Sequence, residues 1–165
     1  MFPGGNLIKL SPSDLVAAAY TAQDVIFAKH ELKNAVPSRG GCSILRNATM
    51  FVEGGAGDDD LMLLFFDNST DLGEPAADPS TDITADEFRA ASCIGAMVWD
   101  GATATDVGTG LLYTGLDSDF KSAPIFIQAA GGETSIWVAC IQYAGTLDLT
   151  DTDSITCTFG FEYLG

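Results

Sequence analysis

Four kinds of residue in this chain have types suited to chemistry: one histidine, clustered acids, four cysteines and glycine-rich turns. His30 is the only histidine, so any Ser–His–Asp or Cys–His arrangement would have to use it as the base. It stands between Lys29 and Glu31, and no nucleophile-elbow pattern occurs anywhere. A surface or edge-strand histidine is the better account. The acids come in close sets: Asp58-Asp-Asp60, Asp117-Ser-Asp119 and Asp151-Thr-Asp153. Acid–base catalysis needs two carboxylates in different environments of one pocket, and acids of a polar turn share a single environment, water. A hard cation suits such clusters better. Asp148, Asp151 and Asp153 are the candidate metal ligands, although the EF-hand glycine and distal glutamate are missing; solvated turn acids are the plainer reading. No catalytic or cofactor-binding residue and no cofactor is expected.

The cysteines, Cys42, Cys93, Cys140 and Cys157, include no C-x-x-C pair, which disfavours zinc ribbons and redox motifs. Their apolar contexts point to buried free thiols, with a Cys140–Cys157 bridge between neighbouring strands as the alternative. Gly54-Gly-Ala-Gly57 lacks the Lys-Ser/Thr ending of a phosphate loop. Trp99 and Trp137 lie in apolar runs, where core packing outweighs a ligand platform.

The elements that would position these residues are strands. Ile155, Cys157, Phe159, Phe161 and Tyr163 alternate with Thr156, Thr158, Gly160 and Glu162, the pattern of a half-buried antiparallel strand. Cys42 to Glu53 alternates too, with Ile44, Arg46, Ala48, Met50 and Val52 expected on one face. Leu61 to Phe66 is apolar throughout and short, as for a strand buried on both faces. Gly131-Gly132 between the runs Ile125 to Gln128 and Thr134 to Tyr143 predicts a hairpin. Asp67 to Asp82 reads as a loop, and Thr84-Ala-Asp-Glu87 as a capping box opening one short helix through Ala91. Residues 1–19 read as an N-terminal arm or edge strand, and 20–165 as one domain. The fold class is all-β: an antiparallel β-sandwich, jelly-roll-like, with one short helix.

At 165 residues the chain can bury roughly 70% of its unfolded surface, and its 47% hydrophobic content suits a packed core. The net charge of −16 disfavours nucleic acid and anionic membrane as partners, since both would repel it. Five of the seven bases (Lys9, Lys29, Lys33, Arg39 and Arg46) lie in the first 46 residues with three acids, so that segment is +2 and the remainder, with two bases and 20 acids, is −18. One docking face and one solvent face is one reading of this; acidic loops kept for solubility is the other. Met1-Phe-Pro-Gly-Gly5 lacks the features of a secretion signal, so the chain is expected to be made in a cytoplasm and to stay soluble.

The order of the pieces carries a resemblance. Tyr20-Thr-Ala-Gln-Asp-Val-Ile26, Gly40-Gly-Cys-Ser-Ile-Leu-Arg46 and Leu61-Met-Leu-Leu-Phe-Phe-Asp67 come first. Ala85-Asp-Glu-Phe88, Ile94-Gly-Ala-Met-Val98 and Gly132-Glu-Thr-Ser-Ile-Trp-Val-Ala139 follow. Over about residues 20–163 the chain resembles the small tailed-phage virion proteins that decorate, or cement, the capsid exterior. It departs from them at Gln23, where a glycine is common. The resemblance implies no catalytic residues, a place on the capsid exterior after synthesis in the host cytoplasm, the major capsid protein as partner, and self-association, with a trimer favoured. On that reading Lys9, Lys29, Lys33, Arg39 and Arg46 face the capsid or a neighbouring subunit. A tail or fibre module binding a host-surface glycan is the alternative and would need exposed aromatics in a groove. A small β-sandwich enzyme is a third class, opposed by the single histidine.

Overall fold

Period-two alternation along nearly every apolar run gives this chain strands with one face to bury, and two sheets bury those faces against each other. The computed structural model describes residues 4–54, 59–70, 72, 85–115, 125–150 and 154–164. In chain order its elements are β1 (Gly5–Leu10), β2 (Ala19–Tyr20), β3 (Val25–Leu32), β4 (Cys42–Glu53), β5 (Asp60–Phe66) and α1 (Ala85–Ala90). There follow β6 (Cys93–Trp99), β7 (Thr105–Asp106), β8 (Gly110–Gly115), β9 (Ile125–Gln128), β10 (Ile136–Ala144), β11 (Leu147–Asp148) and β12 (Ile155–Leu164). A six-stranded sheet runs β1-β12-β4-β8-β7, with β9 also paired to β4; a four-stranded sheet runs β3-β10-β5-β6; β11 and β2 make a short pair. All pairings are antiparallel, and hydrogen-bonded neighbours are mostly distant in sequence, so the protein is an all-β, jelly-roll-like sandwich.

The core lies between the sheets. From β12 it takes Ile155, Cys157, Phe159 and Phe161, and from β5 Leu61, Leu63 and Phe65. Phe65 and Phe159 meet edge to face across the sheets, centroids 6.0 Å apart. Each such side chain contributes about 1.5–3 kcal/mol on leaving water. The other face of β5 is buried as well: Leu64 and Phe66 join Leu72, Ala91 and Ala139 in a second cluster, and Phe66 meets Phe88 of α1 edge to face. The continuous apolar run of β5 is thus a strand buried on both faces. The helix is one short element, Ala85–Ala90; Thr84, its expected cap, lies outside the described residues, as do residues 73–83 of the preceding stretch.

Two expectations are corrected. Gly131-Gly132 does not close a hairpin. β9 pairs with β4 and β10 with β3 and β5, so the turn, with Gly132 at φ +99°, carries the chain from one sheet to the other. Ile125 and Ile127 on β9 and Ile136, Val138 and Cys140 on β10 thereby face the same core from opposite sides. A hairpin would have put them in one sheet.

The alternation of β4 also breaks. Gly160 opposes Asn47 but Phe161 opposes Leu45, so Arg46 is an extra residue in a bulge. Beyond it Leu45 and Ser43 point inward, both fully buried, and Ile44 turns out with Arg46. An unbroken alternation would have placed a guanidinium beside Ala48 and Met50 in an apolar core, at a cost of several kcal/mol.

Candidate functional site

The elements place the expected contact residues in different settings. Lys9 is exposed on β1. Lys29, on β3, has its ammonium 3.0 Å from the Ala91 carbonyl, 3.3 Å from the Asn68 carbonyl and 4.0 Å above the Phe66 ring, so it ties the segment after β5 to the four-stranded sheet. Lys33 is exposed just past β3, with Nζ 3.9 Å from Glu31. Arg39 is exposed in the turn after Pro37. Arg46 donates from Nε to Glu162 Oε2 on β12. The five bases form no single patch.

His30 lies on β3, an edge strand, half-buried, with Phe27 edge-on at 5.8 Å. Its Nε2 is 2.6 Å from Oδ1 of Asp14, and Oδ2 of the same carboxylate accepts from the Ala28 N–H at 2.9 Å. Burial pushes the Asp14 carboxyl up, but the bonds from His30 and Ala28 outweigh it and hold it below the ordinary carboxylate value. Among the described residues no hydroxyl or thiol bonds to the His30 ring. Sequence reasoning missed this partnership. Asp14 staples residues 11–18 to the edge of β3.

Asp148 is exposed on β11 opposite Ala19; Asp151 and Asp153 lie outside the described residues. Among the described residues no three His, Cys, Asp or Glu side chains converge as metal ligands would. The cysteines are free thiols. Cys140 and Cys157 stand on different sheets rather than neighbouring strands, both buried, and burial pushes Cys157 up to about 12 and Cys140 well above its ordinary value. Trp99 is in the core, its ring 6.0 Å from that of Tyr113, and Trp137 packs half-buried on the second cluster.

The outer face of the six-stranded sheet is different. Directly opposed residues share a face, and the register lays them out in rows. Lys9, Thr158, Thr49 and Thr114 form one row; Leu7, Gly160 and Asn47 a second; Gly5, Glu162, Ile44 and Phe126 a third; Thr156, Phe51, Leu112 and Thr105 a fourth. With Glu53 at the end of β4, the described part of this face has two bases, Lys9 and Arg46, and two acids, Glu53 and Glu162. It is balanced in a chain of net charge −16. Leu7 and Phe126 stand on it 61% exposed.

No protein-family model and no curated protein matches the sequence. Among solved structures, a chain of tomato aspermy virus aligns at TM-score 0.32 and 9% identity, over 98% of this chain and 79% of that one. A semi-empty virus-like particle of the giant freshwater prawn (Macrobrachium rosenbergii) nodavirus aligns at 0.31 and 12%, over 96% and 94%. A heated full particle of Israeli acute paralysis virus aligns at 0.31 and 8%, over 97% and 70%. Scores of this size decide neither the fold nor the role of this chain, which rest on its own strands and residues.

Proposed function

We propose that this chain is a non-enzymatic virion structural protein that lies on the outside of a capsid lattice, against the major capsid protein, and stabilises it. The observation that carries the reading is the charge-balanced outer face of the six-stranded sheet. A chain of net charge −16 is repelled by most anionic surfaces, and a broad face of Thr, Asn, Leu and Phe without net charge is where it can lie flat on another protein. The resemblance to phage decoration proteins points the same way. The glycan-binding alternative wants aromatics gathered in one groove, whereas the exposed Phe88, Phe126 and Tyr143 sit on α1, β9 and β10.

Gold-labelled antibody on purified virions tests the location: label spread over the head supports the reading, and label confined to the tail tip replaces it with the adhesin. Cosedimentation with capsids lacking the protein tests the face. Thr158→Glu and Thr49→Glu, at the middle of the sheet, are expected to abolish binding, and Lys33→Glu, beside the other sheet, to leave it intact. Unchanged binding by both threonine variants would show that the lattice touches another surface.

A further inference from the structure

Sheet edges with free N–H and C=O groups pair with other strands unless something blocks them, and the edges here differ in what covers them. On β3, the Asp14 carboxylate takes the Ala28 N–H and pairs with His30. On β6 the Cys93 thiol takes up the Gly95 carbonyl, while the inner face of that strand packs on β9, where a Cβ at Gly95 would stand 2.8 Å from Cγ2 of Ile125. At the far side of the six-stranded sheet, β7 has two residues. The β1 edge has none of these devices. It runs six residues without proline, its register to β12 is unbroken, and among the described residues no other strand pairs with it.

The Tyr163 N–H donates to the Gly4 carbonyl at 2.8 Å, which sets the alternation along the strand. Gly4, Asn6, Ile8 and Leu10 turn their backbone groups to β12, and Gly5, Leu7 and Lys9 turn theirs to the open edge. We propose that this edge pairs antiparallel with the same edge of a second copy of the chain, about a twofold axis at Leu7. That register sets Leu7 opposite Leu7 of the second copy, and Gly5 opposite Lys9 in both directions. All the backbone groups brought face to face are then ones left open within each copy. It is also the parity that keeps the outer faces of both copies on one side.

The side chains agree. The two exposed Leu7 side chains cover each other. Each Lys9 lies across a glycine from Glu162 of the other copy, because Glu162 is the residue directly opposite Gly5. Gly5 itself is required, since a Cβ there would meet the Phe161 carbonyl oxygen at 2.6 Å. The contact is self-complementary in shape and charge, as a twofold interface must be. The threefold association implied by the family resemblance would need a different edge to receive β1, whereas the twofold pairing uses the β1 edge alone. The pairing joins two balanced faces into one, and it holds whether or not that face meets a capsid.

The test is the solution mass of the full chain, by light scattering on a sizing column, from low to high micromolar protein at about 0.15 M salt. A six-residue edge contact is small, so a concentration-dependent rise from 17.2 kDa to twice that mass is expected. Higher salt should favour the pair by screening the like net charges. Leu7→Pro removes an N–H that β12 does not use, and Leu7→Lys sets like charges face to face at the axis; each is expected to hold the protein at 17.2 kDa with an unchanged circular dichroism spectrum. A wild type that stays at 17.2 kDa throughout, a trimer, or a dimer that survives both substitutions would each overturn the proposal. The readout needs no capsid, so its failure is separate from a failure of lattice binding.

Discussion

Asp14 and His30 form a half-buried pair with Oδ1 2.6 Å from Nε2, and the second oxygen of Asp14 holds a backbone amide of the strand that carries His30. One carboxylate thus closes the edge of β3 and fixes the segment between β1 and β2. Asp14→Ala strands both donors and is expected to cost about 1–3 kcal/mol in urea unfolding. His30→Ala removes one of the two bonds and should cost less.

The same pair predicts a pH dependence. The folded Asp14 carboxyl lies below its ordinary value of 3.8. Its stabilisation is therefore complete above that value and is lost as pH falls through the lowered folded value. Unfolding measured from neutral to strongly acidic pH should show an acid limb that is shallower in Asp14→Asn than in wild type.

At the alkaline end the buried thiols and one phenol act. Burial raises Cys140, Cys157 (to about 12) and Tyr113 in the folded state. Their contribution is complete below the ordinary thiol and phenol values and is lost as pH rises through the raised ones. Iodoacetamide is expected to label half-exposed Cys42 on the native protein and to reach Cys140 and Cys157 only on unfolding, read by mass spectrometry.

Gln23 has φ +81°, in the left-handed region that favours glycine, and its N–H is pinned to the Gln142 carbonyl at 2.7 Å. Gln23→Gly should relieve that strain and stabilise the protein by about 1 kcal/mol. A midpoint in urea that does not rise would refute it.

Lys29→Met keeps the apolar stem and removes the ammonium from the Ala91 and Asn68 carbonyls and the Phe66 ring. It is expected to cost about 1.5–3 kcal/mol. Amide exchange should quicken around residues 67–70 and 91–93 before it does in β4 or β12. Uniform quickening across the sandwich would mean that Lys29 supports the whole fold rather than this segment.

Local pattern determined a great deal here. Alternation in Ile155–Tyr163, the apolar run Leu61–Phe66 and the turn residues between runs already specify short antiparallel strands with one buried face, because side-chain direction along a strand has period two. The boundaries of β4 follow from it, as does the all-β class. Pairing was another matter. A strand's sequence states which of its faces is apolar, not which edge it meets. The Gly131-Gly132 turn therefore looked like a hairpin and is a crossing between sheets.

The bulge at Arg46 and the partnership of Asp14 with His30 were invisible for a related reason. Both are settled by residues far away in sequence: Glu162 and Gly160 on β12 for the first, the edge of β3 for the second. The sequence by itself determined the main strands, most of their buried faces and the acidity of the chain. Only the tertiary structure decided which strands meet, which leaves β1 unpaired on one side among the described residues, and where the charges of the described residues cancel on the outer face of the six-stranded sheet, because those follow from strand order, and strand order is set by the packing of the two sheets.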